Sequence, residues 1–497
     1  METGDGYMRL EKLFDGVGNA KMVVGTGLDK EIETLFIDSR QQVKSGLFFC
    51  LKGENSDGHA YAKEAIKNGA VALVTERQLF VDVPQIIVEN ARETLGVLSS
   101  VFYGNPSKMM KIIGVTGTNG KTTVSYMLAS ILRAANKRVG VIGTLGIVYE
   151  NTRVPSDLTT PDPILLQSTL LDMYMRGIEY VVMEVSAHAL YYQKTAGLSF
   201  TACIFTNLTQ DHLDFFHAMP AYEDAKRKLF LSGVCPIAVL NGDDETGRAF
   251  GQMREKDGAK TVFYGLNTPT DAFAVITDES AQGSECMFNV NDKLCRITLS
   301  LVGRHNVYNA LAAATCAAEL GVDMESVSQG LTALTGVEGR LERVGTYHGA
   351  NIYVDFAHTP DGLGRVLDAL RPYCKGRLIC LFGCGGNRDK SKRPIMGEIV
   401  AKKADFAVIT SDNPRYEDPL DIIGAIEKGY RRFSVRYVIV PDRRRAIDYG
   451  LDFVQKGDIL LVAGKGGEQY QEIMGIKYPF NDHDIIQTML SMKGKRE

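Results

Sequence analysis

Short apolar runs alternating with helical patterns constrain this chain more than any other feature. From about residue 111 the runs KIIGVTG, RVGVIGT, YVVMEVS, ACIFTN and IAVLNG are interleaved with helix-like stretches such as VSYMLASILRAAN and PILLQSTLLDMYMRG. Runs apolar throughout suit strands buried on both faces, and repeated strand-then-helix units build parallel sheets covered by helices. The alternation restarts after the polar crossover TGVEGRLERVG, with NIYVDFAHTP, RLICLFGCGG, DFAVITSDNPR, VRYVIVPD and DILLVAGKGGE. Between the two series, residues 270–301 read as short antiparallel strands, followed by a helix in NVYNALAAATCAAEL. Upstream, the runs at 35–37, 47–49 and 71–74 alternate with Gly-containing turns and one helical pattern, AYAKEAIKNGA. The expected fold class is α/β with three domains. These are a small domain over 1–110, a central domain over 111–340 with a phosphate-loop-type, mostly parallel sheet, and a C-terminal domain over 341–497 with a Rossmann-like doubly wound sheet. The 497-residue length agrees with that number at roughly 150 residues per domain.

Composition removes several function classes. The formal net charge of -4 offers no basic excess for nucleic acid. No apolar run approaches the roughly 18 residues of a membrane span, and METGDGYMRLEKLF lacks the basic-then-apolar order of a signal peptide. The expectation is a cytoplasmic protein with small-molecule substrates, no membrane or nucleic-acid partner, and a monomeric state. Nine cysteines without a C-x-x-C pair fit reduced thiols, and Cys380 and Cys384 read as core residues rather than metal ligands.

The stretch GVTGTNGKTT, Gly114 to Thr123, lies between a strand-like and a helix-like segment, the context of a phosphate loop. Glycines let backbone N–H groups turn inward, the helix N-terminus adds positive potential, Lys121 reaches β and γ phosphates, and Thr122 ligates Mg²⁺. The spacing departs from G-x-x-x-x-G-K-[ST], because Val115 stands where the first glycine belongs. Glu184 closes the apolar run YVVMEVS, where an acidic residue commonly serves the metal of a nucleotide site. Asp211, His212 and Asp214 follow another strand in TNLTQDHLDFF and read as metal or phosphate contacts. In the last series each strand ends in a polar tip. These tips are Asp355 with His358, Asn387 to Asp389, Asp412 to Arg415, and Gly464 to Glu468. Ligands bind at the carboxyl ends of strands in open α/β sheets, so these tips read as one binding surface.

GTNGKTT, MEVSAHAL, TNLTQDHLDFF, AYEDAKRKLF, GRHNVYNALAA, EGRLE and VDFAHTPDGL, with IDSR and GLFFCLKG in the first domain, resemble the ATP-dependent Mur ligases of bacterial peptidoglycan synthesis. The resemblance runs in order over nearly the whole chain. Met1 and Met8 are alternative starts, since the likeness to the family begins after Met8. The shorter G-T-N-G-K-[ST] core of that family is complete here, so Gly117, Thr118, Asn119, Gly120, Lys121, Thr122 and Thr123 are implied phosphate contacts. Asn306 and Asn309 are implied near adenine, Arg340 at the γ-phosphate and Asp355 at the ribose, with ATP between central and C-terminal domains and closure of the latter on binding. Thr122 and Glu184 are implied ligands of one Mg²⁺, and His212 and a Lys226 carbamylated by CO₂ would serve a second. By pattern alone, Lys226 in AYEDAKRKLF reads as an exposed helix lysine.

Further site residues follow from the same resemblance. Ser39 and Arg40 are implied at the uridine nucleotide, and Thr159, Thr160, Ser186 and Lys194 along the rest of a UDP-sugar-peptide. Tyr192 and Lys194 replace the Gln and Arg of many relatives, and Lys cannot reproduce a bidentate Arg contact. Members that add meso-diaminopimelate carry D-N-P-R, present here as Asp412, Asn413, Pro414 and Arg415, whereas lysine-adding members lack the arginine. A guanidinium suits the extra carboxylate through two parallel hydrogen bonds. Arg388, Gly464 and Glu468 complete the implied amino-acid pocket, with Gly467 where relatives often have His. The implied reaction is ATP-driven amide formation through an acyl phosphate. Two alternatives are a folylpolyglutamate synthetase, not expected to combine IDSR with D-N-P-R, and a phosphate-loop switch or motor, which would need no small-molecule acceptor.

Overall fold

The computed structural model describes residues 7–15, 20–25, 27–53, 56–156, 158–280 and 282–493. Met1 lies outside the described residues, whereas Met8 opens a short strand. The chain forms two compact units, one of residues 1–114 with 138–201 and one of 115–137 with 202–497.

In the first unit a five-stranded sheet runs in the order Ala20–Val24, Gln85–Val88, Ala70–Thr75, Gly46–Phe49, Thr34–Phe36. All neighbours are parallel except Ala20–Val24, which closes one edge antiparallel. Period-two alternation sorts the strand Gly46–Phe49 between two layers. Leu47 and Phe49 pack with Leu95 and Leu98 of the helix Ala91–Phe102, while Phe48 packs with Ala62 and Ala65 on the opposite face. The same unit holds the strand Tyr180–Glu184 parallel to Val139–Gly143, the latter extended antiparallel by Gly146–Tyr149 and Thr152–Val154. Every residue of Tyr180–Glu184 is buried, including the glutamate.

In the second unit Phe200–Phe205, Ile237–Asn241 and Lys260–Gly265 pair in parallel. The expected antiparallel segment follows as Ala272–Ser280, Gly283–Val290 and Lys293–Leu299. A separate six-stranded sheet has the order Glu342–Tyr347, Ala350–Asp355, Ile459–Ala463, Leu378–Phe382, Phe406–Ile409, Tyr437–Ile439. Only the Glu342–Tyr347 edge is antiparallel. It is doubly wound: Leu378, Cys380 and Phe382 face a core shared with Leu367, Met396 and Ile426, whereas Ile379 and Leu381 face Ile447, Leu451 and Ile486. The last parallel strand returns between the first two of the series, and its carboxyl end, Gly464 onward, emerges at the topological switch point. Cys380 and Cys384 are buried free thiols, and burial pushes both upward in pKa, which keeps them protonated and inert as expected.

Candidate active site

The phosphate loop joins the strand Lys111–Thr116 to the helix Lys121–Ala134. Val115, at the place of the missing glycine, is a wholly buried strand residue, so the turn begins only at Gly117. Gly117 has φ +147 and Gly120 has φ +89. A Cβ on Gly117 would lie 1.9 Å from Thr206 Oγ1, and one on Gly120 would lie 2.4 Å from Asn309 Oδ1. The two glycines are thus required by the loop's own packing. Neighbouring segments then fix each peptide. Thr118 N donates to Asn207 O at 2.8 Å, Asn119 N to Asn207 Oδ1 at 3.0 Å, and Thr206 Oγ1 to Asn119 O at 2.6 Å. Thr122 and Thr123 are buried in the first helical turn, whose N–H groups have no intrahelical acceptor and suit an anion.

Two lysines converge on one carbonyl. Lys121 Nζ donates to Gly117 O at 3.0 Å and Thr118 O at 2.9 Å, and Lys226 Nζ donates to Gly117 O at 2.8 Å. Lys226 corrects the pattern-based reading, for it is 1% exposed rather than a solvated helix lysine. The nine-residue helix Met219–Arg227 buries the face carrying Tyr222, Ala225 and Lys226 against the loop. Burial, reinforced by the charge of Lys121, drives the Lys226 pKa well below its ordinary value, and its Nζ lies over the Tyr222 ring at 4.6 Å. Next to it, His212 takes φ +55 and places Nε2 3.4 Å from Asp211 Oδ2, while Asp214 is exposed. Burial opposes ionisation of Asp211, but His212, His358 and Lys392 outweigh it and hold the carboxyl at about 2.

Residues beyond the crossover reach the same loop. Arg340 Nη2 donates to Thr122 Oγ1 at 2.8 Å, and Asn119 Nδ2 donates to Asp361 Oδ2 at 2.9 Å. Asn309 Nδ2 donates to Asn306 Oδ1 at 3.1 Å, and Asn306 Nδ2 to Val302 O at 2.9 Å. Asp355 accepts from Leu341 N at 2.5 Å and Ala357 N at 2.7 Å, which ties the crossover carrying Arg340 to the strand Ala350–Asp355. Burial raises the Asp355 pKa. His358, close by, donates from Nδ1 to Phe356 O at 2.8 Å, and burial lowers its pKa.

In the first unit, Glu184 accepts from Thr144 N at 2.9 Å and Thr144 Oγ1 at 3.2 Å. Thr159 and Thr160 gather there, Thr159 Oγ1 at 3.1 Å from Thr144 Oγ1 and Thr160 Oγ1 donating to Glu184 O at 2.9 Å. Ser186 N donates to Thr160 Oγ1 at 3.0 Å, Ser186 Oγ caps the next helix, and Lys194 pairs with Asp162 at 2.7 Å. Tyr192 carries the guanidinium of Arg92 4.4 Å above its ring. On the five-stranded sheet's side, buried Ser39 donates to Glu64 Oε2 and exposed Arg40 pairs with Asp38. Among the described residues no three His, Cys, Asp or Glu side chains gather into a metal-binding group.

The polar tips of the C-terminal sheet interlock. Asn413 N donates to Asp412 Oδ1 at 2.6 Å, Asn413 Nδ2 to Glu468 Oε2 at 2.9 Å, and Lys465 Nζ to Asn413 Oδ1 at 3.0 Å and Glu468 Oε2 at 2.7 Å. Burial opposes the charge on Asp412, but Lys465 and Arg443 overcome it and lower its pKa. Gly464, at φ +116, leaves no room for a side chain beside Asp412 Oδ2, 2.6 Å from its ideal Cβ. A Cβ on Gly386 would lie 1.9 Å from Pro414 O, so the 386 and 414 turns pack backbone to backbone. Glu417 accepts from Arg393 Nη1 at 3.0 Å and Nη2 at 2.9 Å and from Asn387 N, anchoring the exposed Arg388 through its neighbour; Arg393 chiefly holds Glu417 at about 2. Sequence reasoning did not single out Asn207, Asp361, Glu417 or Glu472. The first three lie within or beside recognisable motifs, TNLTQDHLDFF, VDFAHTPDGL and DNPRYEDP, whereas nothing local marks Glu472.

An α/β frame with a lysine-bearing loop at a helix N-terminus, and polar tips at the strand ends of a doubly wound sheet, has the build of a nucleotide-phosphate-binding protein. The chain belongs to the Mur ligase family. The Mur ligase family catalytic domain matches residues 31–103, the Mur ligase middle domain 115–317, and the Mur ligase glutamate ligase domain 339–466. The UDP-N-acetylmuramoyl-L-alanyl-D-glutamate--2,6-diaminopimelate ligase of Caldanaerobacter subterraneus subsp. tengcongensis is 41% identical over 490 residues, 98% of this chain and 100% of that one. The enzyme of the same name from Bacillus velezensis is 40% identical over 464 residues, 92% of this chain and 94% of its own. A solved structure of a UDP-N-acetylmuramoyl-L-alanyl-D-glutamate--2,6-diaminopimelate ligase superposes with TM-score 0.68 at 30% identity, covering 95% of this chain and 97% of that one.

Proposed function

We propose that this protein is an ADP-forming ligase of the cytoplasm that joins meso-diaminopimelate to the D-glutamate γ-carboxyl of UDP-N-acetylmuramoyl-L-Ala-D-Glu. The observation that carries the choice of amino acid is Arg415 in D-N-P-R, whose Nη1 donates to Gly386 O in the same turn in which Asn413 donates to the Glu468 carboxylate. A guanidinium there matches the carboxylate that distinguishes diaminopimelate from lysine, and Glu468 offers an acceptor for an ammonium. The names of the two curated relatives support the same substrate pair.

The γ-carboxylate of the substrate attacks the γ-phosphorus of ATP, the bond to the bridging oxygen breaks, and ADP departs. The diaminopimelate amine then attacks the acyl-phosphate carbon, loses a proton, and expels phosphate as the amide forms. Lys121 neutralises charge on the β and γ phosphates, and Arg340 does so on the transferred group. Thr122 fits a Mg²⁺ ligand, since its hydroxyl already turns its lone pair to a cation, the Arg340 guanidinium, and Glu184 is the carboxylate that the family assigns to the metal. When bound, the metal supplies further neutralisation of phosphate charge. His212 and Lys226 are the residues the family assigns to a second ion. Lys226 fits carbamylation because burial favours the unprotonated amine that attacks CO₂ and releases a proton on forming the carbamate. The resulting anion would take a cation's place beside Lys121. Asp355 and Asn306 with Asn309 are the proposed ribose and adenine contacts, and Ser39, Arg40, Thr159, Thr160, Ser186 and Lys194 the contacts along the UDP substrate.

Phosphate release with the UDP-muramoyl dipeptide and either meso-diaminopimelate or L-lysine tests this reading. Release requiring both the dipeptide and diaminopimelate is expected. Equal rates with lysine would overturn the amino-acid assignment, and release independent of either acceptor would overturn the ligase reading.

A further inference from the structure

The D-N-P-R turn is walled on one side by a hairpin that lies past the end of the matched glutamate ligase domain at residue 466. The strand Tyr470–Ile473, paired with Ile476–Pro479, touches each polar member of the turn. Gln471 Nε2 donates to Asp412 O at 2.7 Å, Glu472 N to Asn413 Oδ1 at 2.9 Å, and Arg415 N to Glu472 O at 3.1 Å. Met474 N returns a bond to Arg415 O at 2.7 Å. These bonds hold Arg415 at φ +53, a left-handed conformation that a long side chain seldom adopts.

The side chain is held as firmly as the backbone. Arg415 Nε donates to Glu472 Oε2 at 3.1 Å and Nη1 to Gly386 O at 2.8 Å, with both members of the ion pair about four-fifths buried, at 18% and 20% side-chain exposure. Gly385 crowds the opposite edge, its ideal Cβ lying 2.9 Å from Nη1. A guanidinium binds carboxylates along its Nε/Nη edge or across its Nη1/Nη2 end. Glu472 occupies the first edge. Nη1 spends one of its two N–H groups on Gly386 O, and Nη2 has no acceptor among the described residues, so donors at the Nη1/Nη2 end remain for another carboxylate.

We propose that Glu472 is the positioning residue that aims Arg415 at the distal carboxylate of the amino-acid substrate, and that it sets the preference for diaminopimelate over lysine. This rests on the ligase reading above. Glu472 touches Arg415 rather than substrate. Its role is to leave one end of the fork open and fixed in direction, so that a substrate carboxylate gains two aligned bonds without first ordering the arginine. Without Glu472 the Nε edge competes for the same carboxylate in a second geometry, and the pocket loses discrimination.

The test uses the full chain with saturating ATP and UDP-muramoyl dipeptide, varying diaminopimelate or lysine, for Glu472→Ala, Glu472→Gln and Arg415→Ala. Glu472→Ala is expected to raise the diaminopimelate KM roughly tenfold, with kcat and the ATP KM within about twofold, and to lower the diaminopimelate-to-lysine ratio of kcat/KM. Glu472→Gln keeps an acceptor oxygen for Nε and the hairpin's shape, so most of the wild-type KM should return. An unchanged diaminopimelate KM in Glu472→Ala overturns the proposal, as does a parallel rise in the KM values of all three substrates, or a Gln variant as impaired as the Ala variant. Arg415→Ala separates the two levels: if it leaves the diaminopimelate KM unchanged, the assignment of that arginine to the amino acid fails, whatever Glu472 does.

Discussion

The phosphate loop and the amino-acid loops are both strand-end turns of α/β sheets, yet they are held by different forces. Residues 117–123 are fixed by backbone: two positive-φ glycines with no room for a Cβ, amides taken by Asn207, and two lysines drawn to the Gly117 carbonyl. The turns at 385–388 and 412–415 also pack backbone to backbone, at Gly386 against Pro414 O, but add a layer of side-chain charge, with Glu417, Glu468 and Glu472 each holding one or more cations or amides. A backbone-built cradle suits a ligand common to all reactions of a class. A charge-built pocket is altered one side chain at a time, which suits the part of the reaction in which relatives differ.

The two lysines of the loop test the first half of that contrast and should show the largest effects. Lys121→Met and Lys226→Met should each reduce kcat by about 10²–10³-fold, the usual cost of deleting a preorganised charge at a reacting phosphate. Their stabilities should diverge. The Lys226 pKa is lowered in the folded state, so the unfolded chain binds the extra proton, and stability rises with pH up to the ordinary lysine value. Replacing it with an apolar isostere should therefore raise Tm at neutral pH in CO₂-free buffer, while Lys121→Met should not. With ¹³C-bicarbonate, a carbamate signal is expected in the wild type and absent from Lys226→Met. A wild type without that signal, or a Lys226→Met enzyme of full activity, breaks the proposed role.

The second half is sharpened by Glu417, which pairs with Arg393 and reaches Arg388 through the adjacent Asn387 N–H. Glu417→Ala should raise the diaminopimelate KM by roughly tenfold while the ATP KM stays within about twofold, because charged hydrogen bonds to a partly exposed loop are worth little more than that. Equal rises in both constants would mean that the two regions are not energetically separate.

Legibility in the sequence follows the same division. The parallel strands, the antiparallel 270–301 segment and the doubly wound C-terminal sheet were readable because burial writes its period directly into a chain. The loop was readable because only glycine fits at 117 and 120, and a lysine at a strand-to-helix junction has few other uses. Lys226 was misread for a definite reason: the helix Met219–Arg227 is polar overall, and its lysine is buried by a neighbouring loop rather than by an apolar stripe. Glu472 had no local mark because its partner Arg415 lies 57 residues away, and the hairpin that joins them brings no motif with it.

The smallest expected effect probes a histidine of the helix whose Asn309 borders Gly120. His305 lies in the first turn of the helix Arg304–Glu319, which also carries Asn306 and Asn309; burial, aided by Arg365 and opposed by Asp361, pushes its pKa down to about 4 from 6.5. Between those values the unfolded chain is protonated at this ring and the folded chain is not. The folded state therefore loses stability as pH falls from 6.5 toward 4, and His305 has no influence above that window. The ring is only partly buried, so the loss by pH 5 should be on the order of 1 kcal/mol after solvent screening. Denaturation of wild type and His305→Asn at pH 7 and pH 5 measures it: the wild type should lose more stability between the two than the variant. Parallel losses would show that the folded chain takes up a proton at this ring without the cost that its lowered pKa implies.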